Sequence, residues 1–154
     1  KWASAIYQDF SADTSVYIND FDLALAVENC AETIKSRMGS LSLDLVVVFV
    51  SPHYYEQYRR LPGLIEDKLA NNAFLGCSAG GLIGDGQEIE LISQTRPCLS
   101  ITAAHMSGVE IKPFYVKDEM LPDPDAPQGE WEALIGLETD SKKIPMAMTG
   151  LPLS

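Results

Sequence analysis

Cysteine, histidine and positive charge are all scarce in this chain, and each scarcity removes a class of function. Three cysteines (Cys30, Cys77, Cys98) in 154 residues are odd in number, widely spaced and form no C-x-x-C pair. That argues against a disulfide framework and a zinc site, and for a reducing compartment. The two histidines, His53 and His105, have no metal-ligand spacing, so neither a metal nor another cofactor is expected. Lysine and arginine total 11 against 22 acids, for a formal net charge of −11. A general nucleic-acid binder needs a basic footprint to displace counterions from phosphate, so nucleic acid is excluded as a partner. The longest apolar run, residues 45–50, is far short of the ~20 residues that cross a bilayer, and no transmembrane segment is expected. There is no internal repeat. The chain opens at Lys1-Trp2, so any targeting signal is not readable.

What is present is an ordinary globular composition, 46% apolar and 21% charged, at a length that suits one domain. The unusual stretch is residues 76–86, Gly-Cys-Ser-Ala-Gly-Gly-Leu-Ile-Gly-Asp-Gly, with five glycines in eleven positions. Glycine is favoured where φ is positive or where another group approaches the backbone, and it costs entropy on folding. This glycine-rich loop is therefore taken as the functional centre.

The surrounding pattern alternates strands and helices. Residues 2–7 read as a short strand and residues 11–18 as a loop. Asn19 or Asp20 can cap a helix with Asp22 in its first turn. Leu23, Val27, Cys30, Ile34 and Met38 form one stripe at helical spacing, read as a core-packing face, and Gly39 stops it. Residues 43–50 are almost continuously apolar and β-branched, as in a strand buried on both faces. Ser51-Pro52 then opens a helical turn carrying His53, Tyr54, Tyr55 and Tyr58. Leu61-Pro62-Gly63 interrupts it, and Leu64, Ile65 and Leu69 face inward from a second piece ended by Asn71-Asn72. A strand over residues 73–75 feeds the glycines, far enough from residue 45 for a βαβ crossover between parallel neighbours.

Residues 88–92 and 98–104 read as a hairpin joined across residues 93–97. Further on come an extended piece at 113–116, an acidic proline-rich loop at 121–127, a short helix or turn at 130–137 and a last strand at 144–149. The fold class is α/β with an α+β tendency: a mixed β-sheet with parallel core strands, a C-terminal antiparallel part, and helices packed on the sheet.

Gly76-Cys77-Ser78-Ala79-Gly80 spells G-x-S-x-G, the nucleophile elbow of α/β-hydrolases. The glycines after it make a poor helix start, only His105 follows as a base, and no oxyanion-hole run precedes it. Cys77 has no base beside it in sequence to activate its thiol. The dinucleotide fingerprint spacing is absent. What remains is a backbone cradle: successive amides in a glycine turn can bind an anion such as a carboxylate, with the Ser78 hydroxyl added. Its mouth lies at the carboxyl ends of two parallel strands, where open α/β sheets bind ligands, and Ser51 and His53 start at that same end.

Residues 43–51 (LDLVVVFVS), 75–84 (LGCSAGGLIG), 86–90 (GQEIE) and 98–104 (CLSITAA) together resemble the FIST N domain family. Gly108 to Phe114, Leu121-Pro122-Asp123 and Trp131 to Gly136 continue the likeness in register. It is most similar to versions from cyanobacteria and plastid-bearing eukaryotes, and implies a cytoplasmic protein, or a stromal one in a phototrophic eukaryote.

The resemblance implies a non-catalytic sensory domain that binds a small carboxylate-bearing molecule or an amino acid. The candidate ligand-binding set is Cys77, Ser78, Gly80, Gly81, Gly84, Ser51, His53 and Glu88, with no catalytic residue. Residues 1–154 are expected to be a single FIST N-type domain, shortened at its C-terminal end and without its FIST C-type companion. Two other readings stand beside this one. The first is an accessory subunit docking on a larger assembly, a photosynthetic one included, through the loop of Leu121, Pro122, Asp123 and Pro124. The second is a serine hydrolase using Ser78.

Overall fold

The computed structural model describes residues 1–10, 21–90 and 96–136. The expected loop at 11–18, the Asn19 and Asp20 caps and the strand at 144–149 fall outside these residues. The described residues divide into two compact units, residues 1–111 and 112–136.

The first unit is built on a four-stranded mixed sheet in the order β1-β6-β2-β3. β1 (Trp2–Gln8) and β2 (Leu45–Val50) both pair antiparallel with β6 (Cys98–Ala104), and β2 pairs parallel with β3 (Phe74–Ser78). Strand alternation sorts the side chains between the two faces. Ala3, Ala5, Val46, Val48, Val50, Leu99, Ile101 and Ala103 meet the helices in the main core, and Leu45, Val47, Ala73 and Ala104 pack on the other side with Met106 and Ile111. β2 is thus buried on both faces along most of its length, as its apolar run predicts.

α1 (Leu23–Met38) buries Leu23, Val27, Cys30, Ile34 and Met38, the whole predicted stripe. Its N-cap is Asp22, whose carboxylate accepts the Ala24 amide at 2.9 Å, so the cap lies later than Asn19 or Asp20. Gly39, at φ +67°, ends the helix as expected. After β2 the chain enters a 3-10 helix (Pro52–Arg60) that runs directly into α2 (Leu61–Lys68). Leu61-Pro62-Gly63 therefore opens α2 rather than interrupting a helix. Proline suits the first turn, where its missing N–H has no partner to lose, and Leu61 is fully buried.

Two expectations about the sheet need correction. Residues 76–86 are not one loop: Gly76 to Ser78 complete β3, and Gly81 starts β4 (Gly81–Gly84). β4 forms a hairpin with β5 (Gln87–Glu90) across Asp85-Gly86, both at positive φ. The expected hairpin between residues 88–92 and 98–104 is also absent, since β5 pairs with β4 while β6 is inserted between β1 and β2. The burial of Cys98, Leu99, Ser100, Ile101, Ala103 and Ala104 explains this. A strand covered on both faces suits a central position, where its backbone is paired on both sides.

The second unit contains a 3-10 turn at Asp118–Met120 and α3 (Gln128–Leu134). Residues 113–116 form no strand, and residues 121–127 are a turn-containing connection.

Candidate functional site

Register places the ends of four strands along one edge of the sheet. Gln8 lies opposite Cys98, Leu99 opposite Val50, and Val50 beside Ser78. The Ala79 amide donates to Val50 O at 3.0 Å, holding the exit of β3 against the exit of β2. Ser51, His53 and Ser78 are therefore brought together here, as parallel strands with crossovers on one side dictate.

Ser51 is fully buried and ties this edge together. Its Oγ accepts the Cys98 amide at 3.0 Å and lies 3.2 Å from His53 Nδ1, and its carbonyl accepts the Tyr58 hydroxyl at 3.1 Å. Its side chain makes no helix-cap bond, because the amide of β6 occupies it. Burial lowers the His53 pKa, and its ring meets Phe21 edge-on at 6.2 Å. Burial raises the Tyr58 hydroxyl, with the Ser78 side chain pulling the other way. Tyr54, also buried, carries a hydroxyl with no hydrogen-bond partner among the described residues.

The remaining candidates separate from this group. Cys77 lies beside Phe49, so alternation turns it to the face opposite Ser78. Nothing among the described residues lies within 4 Å of the position a Cβ would take at Gly80. Among the described residues no acceptor takes the Gly80 amide. Gly81 faces Glu90 in the β4–β5 hairpin, and a Cβ there would lie 3.5 Å from Ile89 O. Gly84 is buried against the sheet: a Cβ would come within 2.6 Å of Ser100 Oγ and 3.2 Å of Ser4 Oγ. This close approach lets Ser100 donate to Ile83 O at 2.8 Å, while Leu82 and Ile89 pack on Cys98 and Ile6. Glu88 is exposed on β5, opposite Ile83.

The geometry also dissolves the Ser78 triad. His105 follows Ala104, which pairs with Leu45 at one end of β2, whereas Ser78 lies beside Val50 at the other. Five residues of strand separate them, roughly 17 Å at ~3.3 Å per residue. Ser78 cannot hand a proton to His105. Tyr54 and Tyr58 are buried at the inner side of the edge, and the Ser-Pro start that follows β2 is the sequence signal for the turn that carries them.

Among the described residues no group of three or more His, Cys, Asp or Glu is placed to hold a metal ion, and no helix is long and apolar enough to cross a membrane.

No curated protein and no solved structure matches the chain. The family model described as FIST N domain matches residues 44–138, more than half of the chain, and spans β2 to β6 with Ser51, His53 and Ser78. The chain belongs to the FIST N domain family, generally one of sensory, ligand-binding domains.

Proposed function

We propose that the chain binds a small carboxylate-bearing ligand, such as an amino acid, at the shared end of β2 and β3 without converting it. The observation that carries this reading is the pairing of exposed Ser78 with the open Gly80 at the exit of two parallel strands. Crevices beyond the carboxyl ends of parallel strands are where open α/β sheets receive ligands. The Ser78 hydroxyl and the Gly80 amide are donors suited to a carboxylate, and neither carries a charge that water would hold back. Ser51 and His53 support the edge from within. Gly81, Gly84 and Glu88 then serve the β4–β5 hairpin, and Cys77 the opposite face. Calorimetric titration with a panel of amino acids tests the reading: saturable heat from at least one of them, with affinity weakened roughly tenfold in Ser78→Ala, supports it, and no heat at millimolar concentration rejects it.

A second reading rests on the other unit. Phe114, Tyr115, Met120 and Leu121 are all at least 40% exposed, around the loop that holds Pro122, Asp123 and Pro124. Exposed apolar side chains in such density mark a surface that binds protein. Size-exclusion chromatography with light scattering separates the two: self-association or a stable complex favours docking, and a monodisperse monomer disfavours it.

A further inference from the structure

We propose that Ser107, His105 and Asp44 form a hydrolytic relay at the end of the sheet opposite the ligand edge. His105 Nε2 lies 3.2 Å from Ser107 Oγ, and His105 Nδ1 lies 3.4 Å from Asp44 Oδ2. Nδ1 also lies 3.1 Å from the Ser42 carbonyl oxygen. The Ser42 hydroxyl, 3.4 Å from Nδ1, can donate or accept, whereas the nearer carbonyl and the carboxylate only accept, so the neutral ring carries its proton on Nδ1. Nε2 is then left with a lone pair aimed at Ser107, the arrangement in which a histidine takes a proton from a serine.

The second layer is in place. Asp44 Oδ2 accepts the Met106 amide at 2.6 Å and Oδ1 accepts the Asn72 side-chain amide at 3.1 Å, which fixes the carboxylate beside Nδ1. Asp44 itself stands just before β2, its amide donating to Ala104 O at 2.8 Å, so the sheet register brings it to His105. Ser107 lies on a tight turn closed by the Val109 amide on Met106 O at 3.1 Å, with Gly108 at φ +78°. That positive φ at the third position is the mark of a type II turn. The Gly108 amide directly follows the serine and has no acceptor among the described residues. It is the amide that stabilises an oxyanion in serine hydrolases, where the residue after the nucleophile supplies a donor.

The turn is exposed and flanked by Met106 and Val109, so the substrate class is an ester of a small acyl group. Ser107 Oγ bonds to the ester carbonyl carbon as its proton passes to His105 Nε2. The bond to the leaving alkoxide breaks as Nε2 returns that proton to it. Water then repeats the sequence, forming the acid and restoring Ser107. Asp44 acts through His105 and is a positioning residue.

The test is hydrolysis of p-nitrophenyl acetate by the full chain, with a fluorophosphonate probe and peptide mass spectrometry to locate any adduct. The expected result is an adduct on Ser107 and turnover that falls roughly 100-fold or more in Ser107→Ala and His105→Gln, the least that general-base catalysis supplies. Asp44→Asn is expected to lower kcat with KM unchanged. Turnover unaffected by these variants, or equal to buffer, overturns the proposal. So does an adduct on Ser78, or an unlabelled chain, since a network that only braces the turn leaves Ser107 unreactive. Circular dichroism of Ser107→Ala, an exposed position, separates loss of activity from loss of fold.

Discussion

Cys77 and Ser78 are neighbours in the chain and stand on opposite faces of the sheet, Cys77 beside Phe49 and Ser78 beside Val50. The step of one residue that separates them reverses the direction of the side chain. A ligand that meets the Ser78 hydroxyl on the helix side of β3 therefore does not meet the Cys77 thiol. The G-x-S-x-G stretch is accordingly the end of an ordinary strand, and its two polar side chains serve different surfaces.

The three cysteines differ in reactivity for the same reason. Burial pushes the Cys30 thiol up to about 12 and Cys98 to about 11, the latter against the opposing pull of Ser51. Thiolate is the reactive form, so both are protected twice, by pKa and by access. Cys77 is only partly buried. Alkylation of the native protein with iodoacetamide at mildly alkaline pH is expected to modify Cys77 first, as read by peptide mass spectrometry. Earlier modification of Cys30 would contradict the packing of α1 on the sheet, and earlier modification of Cys98 the packing of the β4–β5 hairpin over it.

Gly84 and Gly80 are expected to answer substitution differently. A methyl at Gly84 collides with Ser100 Oγ and must break its bond to Ile83 O, whereas one at Gly80 meets nothing among the described residues. Gly84→Ala is expected to lower stability by about 1–3 kcal/mol, the usual range for overpacking. Gly80→Ala is expected to stay within about 0.5 kcal/mol. Urea denaturation monitored by circular dichroism measures both.

His53 predicts a pH dependence. Burial lowers its pKa from the ordinary 6.5. Below 6.5 the unfolded chain takes up a proton that the folded chain resists, so unfolding gains and stability falls as pH drops through this range. The loss is complete once pH passes the lower folded value. His53→Gln is expected to flatten this slope in urea denaturation between about pH 7.5 and about pH 5.5. An unchanged slope would mean that the ring is solvated.

Much of the fold was legible because burial follows local pattern. The Leu23-to-Met38 stripe and the apolar run of β2 each specify an element and the face it hides. The parallel β2–β3 pair followed from the length of chain between them. Strand order did not, because adjacency in sequence suggested a hairpin between β5 and β6. The placement of β6 depends on covering both its faces, which no local signal states. β4 was hidden by Gly81 and Gly84, whose low strand propensity reads as a turn, although Gly84 is there to let the hairpin lie close on Ser4 and Ser100. At the candidate site, the meeting of Ser51, His53 and Ser78 was readable from the parallel strands. The separation of Cys77 was readable too, since it needs only the alternation of side chains along β3. The approach of Asp44 to His105 was not, because it depends on register across β2 and β6.

The central claim is that the shared end of β2 and β3 binds a small carboxylate through Ser78. Isothermal titration calorimetry of the chain and of Ser78→Ala against a panel of amino acids tests it most directly. The account predicts saturable binding of at least one amino acid, weakened roughly tenfold by the loss of one hydrogen bond to a charged group, and unaltered by Cys77→Ala. Binding that survives Ser78→Ala undiminished, or no binding at millimolar concentration, would contradict it.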